Sequence, residues 1–579
     1  MKKYLFIALA ALGFAACAEK IDDNSPVQKG ELEESYIAIN LMSADVDTRA
    51  SVNDNYGYEY GTEAERAIKN AYFFFFKDGS PFYVNTTDSP ATAPGYEQNY
   101  LKLNINRTNE GTTENVSDIS EAVLVLSAYK GYYPNQIVAV LNWTPSNKVY
   151  TLEDLHTEIY NGSLGNDTDG YVMTNSVYMD GSNKMVDATP IAESHIKKTP
   201  TEAIANPVDI YVERTAAKIV LTSDVVNNMY NTEITSALVT LDQITNTPVY
   251  VKLHGWELYN DYTSTNLLKN IDVTWSIDAL GLTWNDSPYF RSYWADSQAA
   301  AHNDSFAWSY TKDAGATTYN GYPTQYGFKV ASLDNNDNIV DDRSTYTYCG
   351  ENTNSLESGL STKVILKGQL MQEDGDGGYT KLELARWYGN EYAGVEGLKR
   401  AVANSLNYTL FYHDGSKYVS IAPEHLECVA DVGAAKEYEV GFQLSTTGEE
   451  KTWYLFSSES GYQPTDDIGD HTKNIDAANQ YLANNVKPAL LYESGNTYYI
   501  VDIEHLGATG KPAKYGVVRN HVYQIEIESI KGYGSPYFPG FGNIENPEYP
   551  EIDETSSYVS ARINVLSWKV VKQGVNVGQ

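Results

Sequence analysis

The chain has 579 residues, enough for two to four domains that each hold their own core, so a peptide or single-module reading is excluded. Its 76 acidic side chains against 41 basic ones leave a formal charge of −35, which repels phosphate backbones and anionic lipid head groups and argues against nucleic acid as a partner. Only 20% of residues are charged while 42% are hydrophobic and 48 are Tyr, so bulk disorder is excluded and a β-rich, extracellular type of protein is favoured.

In chain order, Lys2 and Lys3 precede an apolar run from Tyr4 to Ala16 that is too short to span a bilayer, the layout of an export signal. The run ends Phe14-Ala15-Ala16-Cys17. This resembles the lipobox of bacterial lipoproteins, in which the Cys thiol is acylated; ordinary secretion with an incidental Cys17 is the plainer alternative. Lys20–Lys29 reads as a tether. Ile37, Ile39 and Leu41 then alternate on one face of a half-buried strand. A polar stretch follows, with Arg49 its single basic residue, and an Arg-specific protease would cut it between Arg49 and Ala50. Residue chemistry alone favours an ordinary surface loop with an ordinary Arg.

Three aromatic hairpins are predicted: Tyr72–Phe76 with Phe82–Val84 across Asp78-Gly79, Tyr408–Tyr412 with Tyr418–Ile421 across Asp414-Gly415, and Leu490–Tyr492 with Tyr498–Val501 across Ser494-Gly495-Asn496. Further strands are expected at Ala122–Leu126, Ile137–Leu141, Val208–Val212, Lys218–Leu221, Ala237–Leu241, Val364–Leu366 and Tyr523–Ile527, and helices at Glu63–Ala71 and Val395–Leu406. Asn206-Pro207 marks a domain boundary. The fold class is therefore mainly β, a two-domain antiparallel β-sandwich with long loops and a few short helices.

The tail keeps its patterning almost to the end. Ala561, Ile563 and Val565 alternate on odd positions, Leu566, Trp568 and Val570 on even ones, and Val571, Val575 and Val577 on odd ones again. Two short strands with a kink near Val570-Val571 account for the changes of parity. The last strand either tucks into its own sheet or pairs with another molecule.

Catalytic signatures are missing: no GxSxG, GxGxxG, HExxH or phosphate-loop pattern occurs. The sequence suggests neither an enzyme nor a cofactor. Cys349 and Cys428 lack the spacing of a zinc site and form either one disulfide or two buried thiols. Glu373–Gly378 resembles the start of a calcium loop without its later ligands and reads as a solvated acidic turn, so no metal is assigned.

Taken together, the residues resemble the fimbrillins, or type V pilins, of Gram-negative anaerobes, closest to the shaft subunit of the minor (short) fimbrium. The resemblance rests on the lipobox at Cys17, on Arg49-Ala50, on Tyr211–Lys218, Tyr348–Thr353 and Arg519–Tyr523, and on the closing Val565–Trp568 strand. Gly350 stands where the family commonly has a larger apolar residue. The resemblance implies transthyretin-like sandwiches, a signal peptide over 1–17, a propeptide with a removable first strand over 18–49, and domains at 50–206 and 207–579 with a terminal donor strand at about 560–579. It further implies a lipoprotein precursor (lipidated, as with palmitate, at Cys17) held on the outer membrane at the cell surface, and proteolysis after Arg49 that carries off Ile37, Ile39 and Leu41. The donor strand bearing Val571, Val575 and Val577 of one copy would then enter the next. Partners by this resemblance are further copies of the chain, fimbrial anchor and tip subunits and an Arg-specific surface protease, in a fimbrium serving adhesion and biofilm formation. The alternative is a surface glycan-binding lipoprotein that uses Tyr and its nine Trp as stacking platforms.

Overall fold

The computed structural model describes residues 32–43, 56–58, 62–84, 98–103, 109–110, 118–129, 133–146, 149–157, 159–161, 165–166, 168–179, 184–222, 229–241, 243–262, 264–270, 297, 302–303, 305–306, 326–327, 346–353, 361–430, 432–436, 438–505, 515–538, 544–545, 558–566 and 569–573. The fold is mainly β, with several sheets and few helices.

Strand β1 (Leu32–Ser43) contains the alternating Ile37 and Ile39, and after it come β2 (Tyr56–Tyr58) and one turn of helix, α1 (Glu63–Arg66). β3 (Ala71–Lys77), β4 (Asp118–Tyr129), β5 (Gln136–Leu141), β6 (Met173–Asn175) and β7 (Val208–Arg214) complete the principal strands of the first sheet. Their order across it is β3-β5-β6-β7-β1-β4, with short strands added at both edges. The sheet curls on itself. Ile37 and Ile39 of β1 consequently share a core with Phe73, Phe75, Leu124, Leu126, Ile137, Ile210 and Val212. The unbroken Phe73–Phe76 run, which does not alternate, follows from β3 being covered on both faces. Phe74 and Phe76 belong to a second core with Val138, Val140, Trp143, Tyr150 and Leu155.

Asp78 (φ 51°) and Gly79 (φ 78°) make the first expected hairpin turn, where both central residues need positive φ. The second hairpin also forms, between Leu410–His413 and Tyr418–Ser420, with the Asp414 carboxylate accepting from the Ser416 and Lys417 amides. It joins Trp453–Ser457 and Gly461–Pro464 in a four-stranded sheet. There the rings of Tyr418 and Tyr462, from the two outer strands, stack 3.9 Å apart, and Tyr462 meets Phe411 edge-on at 4.9 Å. The aromatics of that face therefore clasp the two hairpins together.

The third expected hairpin is not one. Leu490–Tyr492 pairs with Leu384–Trp387, and Asn496–Asp502 pairs with Lys363–Glu373, at opposite ends of one ten-stranded sheet. Only Glu493–Gly495 separates the two segments, so this sheet also curls until its ends meet.

The Asn206-Pro207 boundary shifts as well. β7, expected to open the second domain, pairs with β6 and β1 in the first sheet. The chain changes sheet at Thr215, because β8 (Ala216–Thr222) pairs in a different six-stranded sheet. Proline at 207 only sets the start of β7.

The remaining elements are β9 (Met229–Thr240), β10 (Gln243–Tyr259), β11 (Tyr346–Gly350), β12 (Lys363–Glu373), α2 (Gly394–Ser405), α3 (His471–Asn485), β13 (Asn496–Asp502), β14 (Val522–Lys531), β15 (Tyr558–Leu566) and β16 (Lys569–Gln573). The six-stranded sheet runs β2-β16-β15-β14-β8-β11, and the larger one has β9-β10-β12-β13 at its centre. Ile219, Leu221, Ile525 and Ile527 of the first meet Val249, Val251, Leu253, Val364 and Leu366 of the second in one sandwich core. Leu398 and Val402 of α2, and Ala478 and Leu482 of α3, cover the outer face. Most pairs are antiparallel, with parallel contacts at β1–β7, β8–β14 and β9–Asn390–Ala393. Cys349 and Cys428 are free, buried thiols, and burial raises the pKa of both, that of Cys428 to about 12. Asp374 accepts from the Asp376 and Gly378 amides, the expected acidic turn between two strands.

Candidate functional site

β1 lies inside its sheet, not at an edge. On one side it pairs antiparallel with β4, from Leu32↔Tyr129 to Met42↔Ile119. On the other it runs parallel with β7 from Ile39↔Val208 to Ser43↔Val212, preceded by a mutual Tyr36–Lys197 bridge at 2.7 and 2.9 Å. From Tyr36 to Met42 the strand is therefore flanked on both edges. Ile37 and Ile39 are fully buried. Lifting β1 out would leave facing, unpaired backbones on β4 and β7 about 10 Å apart, two inter-strand spacings, which is the width of one strand. It would also open the core where the two isoleucines sat, each worth roughly 1.5–3 kcal/mol of burial. Leu41 lies in the strand opposite Ile210 and Ser120. Cys17, Arg49 and Ala50 lie outside the described residues.

The tail forms a hairpin. β15 pairs along β14, and β16 folds back on β15 with Val565↔Val571 and Leu566↔Val570 as neighbours. The break comes between Leu566 and Lys569 instead of at Val570-Val571. Reversal of direction, and not a kink in one continuous strand, accounts for the change of parity. Val571 thus sits in its own chain's sheet, between Val565 and Tyr56 of β2. Val575 and Val577 lie outside the described residues.

A buried polar joint ties α1 and the first sheet to the six-stranded sheet that carries the tail. The Thr62 hydroxyl caps α1 through the Glu65 amide at 3.2 Å, and the Glu65 carboxylate accepts from the Thr62 amide at 2.6 Å. The same carboxylate meets Lys218 Nζ of β8 at 3.0 Å and accepts from the hydroxyl of Tyr348 on β11. Arg214 of β7 donates to the Glu65 carbonyl at 2.8 Å and to Asn520 Oδ1 at 3.2 Å. Nearby, Arg519 pairs with Glu351 at 3.1 Å and donates to the Asn266 and Leu267 carbonyls, each at 3.0 Å. Burial pushes the Glu65 carboxyl upward, but Lys218, Arg214 and the hydrogen bonds from Tyr348 and Thr62 hold it below its ordinary value. The segments 211–218, 348–353 and 519–523, noted separately in the sequence, therefore meet in space around the residues that follow β1. Glu65 itself had no sequence signal beyond the Thr62-x-x-Glu65 capping pattern, and nothing in the sequence singled out Tyr56–Tyr58.

Among the described residues no group of three or more His, Cys, Asp or Glu side chains could hold a metal ion, and no helix is long and apolar enough to cross a membrane. What the arrangement presents is an interior strand close to the start of the chain, paired on both edges.

Residues 490–574 match the family model "Major fimbrial subunit protein type IV, Fimbrillin, C-terminal". No curated protein matches the chain. Similar solved structures include a candidate cell adhesion protein from Parabacteroides distasonis, with 11% identity, 94% of this chain and 98% of that one covered, and a TM-score of 0.34. A fimbrilin from Porphyromonas gingivalis shows 11% identity, coverage of 94% and 99%, and a TM-score of 0.33. A tip fimbrial protein from the same organism, solved with a C-terminal truncation, shows 11% identity, coverage of 92% and 99%, and a TM-score of 0.25.

Proposed function

We propose that this chain is a structural subunit of a cell-surface fimbria, made as a lipoprotein precursor through Cys17, activated by proteolysis after Arg49 and assembled by donor-strand exchange. The observation that carries the reading is the placement of β1: an interior strand, paired on both edges, that lies wholly upstream of Arg49. The match of residues 490–574 to the fimbrillin C-terminal model supports it from the other end of the chain.

Cutting after Arg49 severs β1 from the body while leaving its hydrogen bonds in place. Exchange then replaces one strand by another of similar shape. A donor with four or five buried Val, Leu or Ile residues gains on the order of 10 kcal/mol before the entropy costs of association. The contact joins the head of one copy to the tail of the next, so it does not close and it propagates as a fibre. Before the cut, β1 occupies its own slot and blocks assembly. Arg49 acts as a switch, and the protein works as a shaft subunit without catalytic chemistry, alongside anchor and tip subunits.

Digestion of the purified precursor with an Arg-specific protease tests this. Ladders on non-boiled gels and fibres by negative stain are expected, both lost in Arg49→Ala and on deletion of Val571–Gln579. Monomers that persist after confirmed cutting at Arg49 overturn the assignment.

A further inference from the structure

β9 and β10 form one long hairpin whose far end runs past its neighbours in the sheet. β10 takes β12 as its second neighbour only from Tyr250 onward, where Tyr250 pairs with Met371, so along Gln243–Val249 its outer edge has no strand partner among the described residues. The closing pair is Thr240↔Gln243, with Leu241 and Asp242 between them. In a two-residue hairpin the closing residues hydrogen-bond each other, so by alternation Ile244 and Asn246 turn their backbone N–H and C=O groups outward. Pro248 has no N–H to offer and ends the usable edge, which is therefore Gln243–Thr247. Leu241 and Ile244 are 72% and 70% exposed, the two most exposed large aliphatic side chains among the described residues. No charged residue occurs from Gln243 to Val251, in a chain with a formal charge of −35. Edge strands are ordinarily blunted by charge, and this one is open, neutral and apolar at its tip.

We propose that this edge pairs with the same edge of a second copy of the chain, antiparallel about a twofold axis through Thr245. When two identical strands use the whole of Gln243–Thr247, its middle residue lies on the axis, which sets Ile244 opposite Asn246 and Gln243 opposite Thr247. The outward backbone groups of Ile244 and Asn246 then face each other in both halves, so the register that fits the length also fits the hydrogen bonds. A second copy suits the chemistry because no carboxylate lies on the paired residues themselves, whereas acidic side chains outnumber basic ones 76 to 41 over the whole chain. Five residues a side fall far below the roughly 20–30 of a standard interface, so one such pair is weak. Copies held in file bring many pairs into step, and their combined strength becomes large. The pairing therefore joins fibres side by side, across the head-to-tail contact and not along it. That side-by-side role rests on the reading of the chain as a shaft subunit; the pairing of two copies does not.

Cross-linking tests the pairing without assembly. In the uncut precursor carrying Cys17→Ser, Thr245→Cys puts the thiols of two copies on opposed residues about 4.5 Å apart between Cα atoms, a separation that a disulfide spans. Under one oxidant it is expected to form linked dimers at least tenfold faster than Tyr408→Cys, a control position that is 83% exposed. Adding Ile244→Lys is expected to bring Thr245→Cys down to the control rate, because like charges then meet across the axis. Equal rates for Thr245→Cys and Tyr408→Cys overturn the proposal, and so does a product joining Thr245→Cys to a different protein when the oxidant is applied to whole cells. After cutting at Arg49, the parent is expected to give bundled fibres by negative stain and Ile244→Lys single fibres of the same length; bundles in both overturn the side-by-side role. If dimers link as expected while neither protein forms fibres, the pairing stands and the shaft reading fails.

Discussion

Removing one partner from a fully buried ion pair strands the other, and Glu65–Lys218 is such a pair, with side chains 0% and 2% exposed. Lys218 Nζ also lies 4.2 Å from the Tyr346 ring centroid, so the cation is held on two sides. Glu65→Gln is expected to lower stability by about 3–5 kcal/mol, read as a shift of the urea midpoint at pH 7, and Glu65→Gln with Lys218→Met is expected to recover much of that loss. A single variant within 1 kcal/mol of the parent would show that the joint is not desolvated. The sign of the pH effect follows from the lowered folded pKa. The stabilisation is present above the ordinary value of 4.5 and is lost as pH falls through the folded one.

At the scale of elements, Gly495 determines how the ten-stranded sheet of β9, β10, β12 and β13 closes. Its φ is +77°, and a Cβ there would lie 2.7 Å from the Leu370 carbonyl oxygen and 2.9 Å from that of Leu382. Gly495→Ala is expected to cost about 2–4 kcal/mol in urea unfolding, against a smaller effect at Gly415, where φ of +98° brings backbone strain but nothing lies within 4 Å to clash. The same turn shows where sequence reading stops. Ser494-Gly495-Asn496 has the chemistry of a sharp turn, and a sharp turn is present. That chemistry does not encode whether the flanking strands pair with each other, and here they pair elsewhere. Alternation located β1, and short apolar, β-branched segments located β5, β7, β8 and β14. Neither gave a partner for β1, since β4 and β7 arrive from residues 118–129 and 208–214. α3 escaped notice for a local reason. Among its buried residues is Asn474, whose Oδ1 accepts from the Trp453 amide at 2.8 Å while its Nδ2 donates to the Trp453 carbonyl at 3.1 Å. A polar residue with a full set of partners interrupts the apolar spacing that would have marked the helix, although Asp470, Ile475, Ala478 and Leu482 carried the signal.

At the scale of the whole molecule, buried imidazoles make the fold sensitive to mild acid. Burial, then Lys252, lowers the pKa of His254 to about 4, and burial, then Lys269, lowers that of His505 to about 3. Both groups take up protons more readily in the unfolded chain, so stability rises with pH up to the ordinary histidine value of 6.5 and falls below it. Between pH 7 and 5 the loss is about 2 kcal/mol for each histidine, measurable as a fall in the urea midpoint. His505→Gln is expected to flatten that dependence by about half, and an unchanged slope would remove His505 from the account.

Thr215 is the whole connection between β7 and β8, buried, with its amide bonded to the Val172 carbonyl at 3.0 Å. The two halves of the molecule consequently have no slack between them. Tension drawn along this stretch would pass through extended backbone, flanked on both sides by rungs lying across the line of force. Rungs loaded in that way give way together or not at all, and a string of such molecules would behave as inextensible cord, not as a spring.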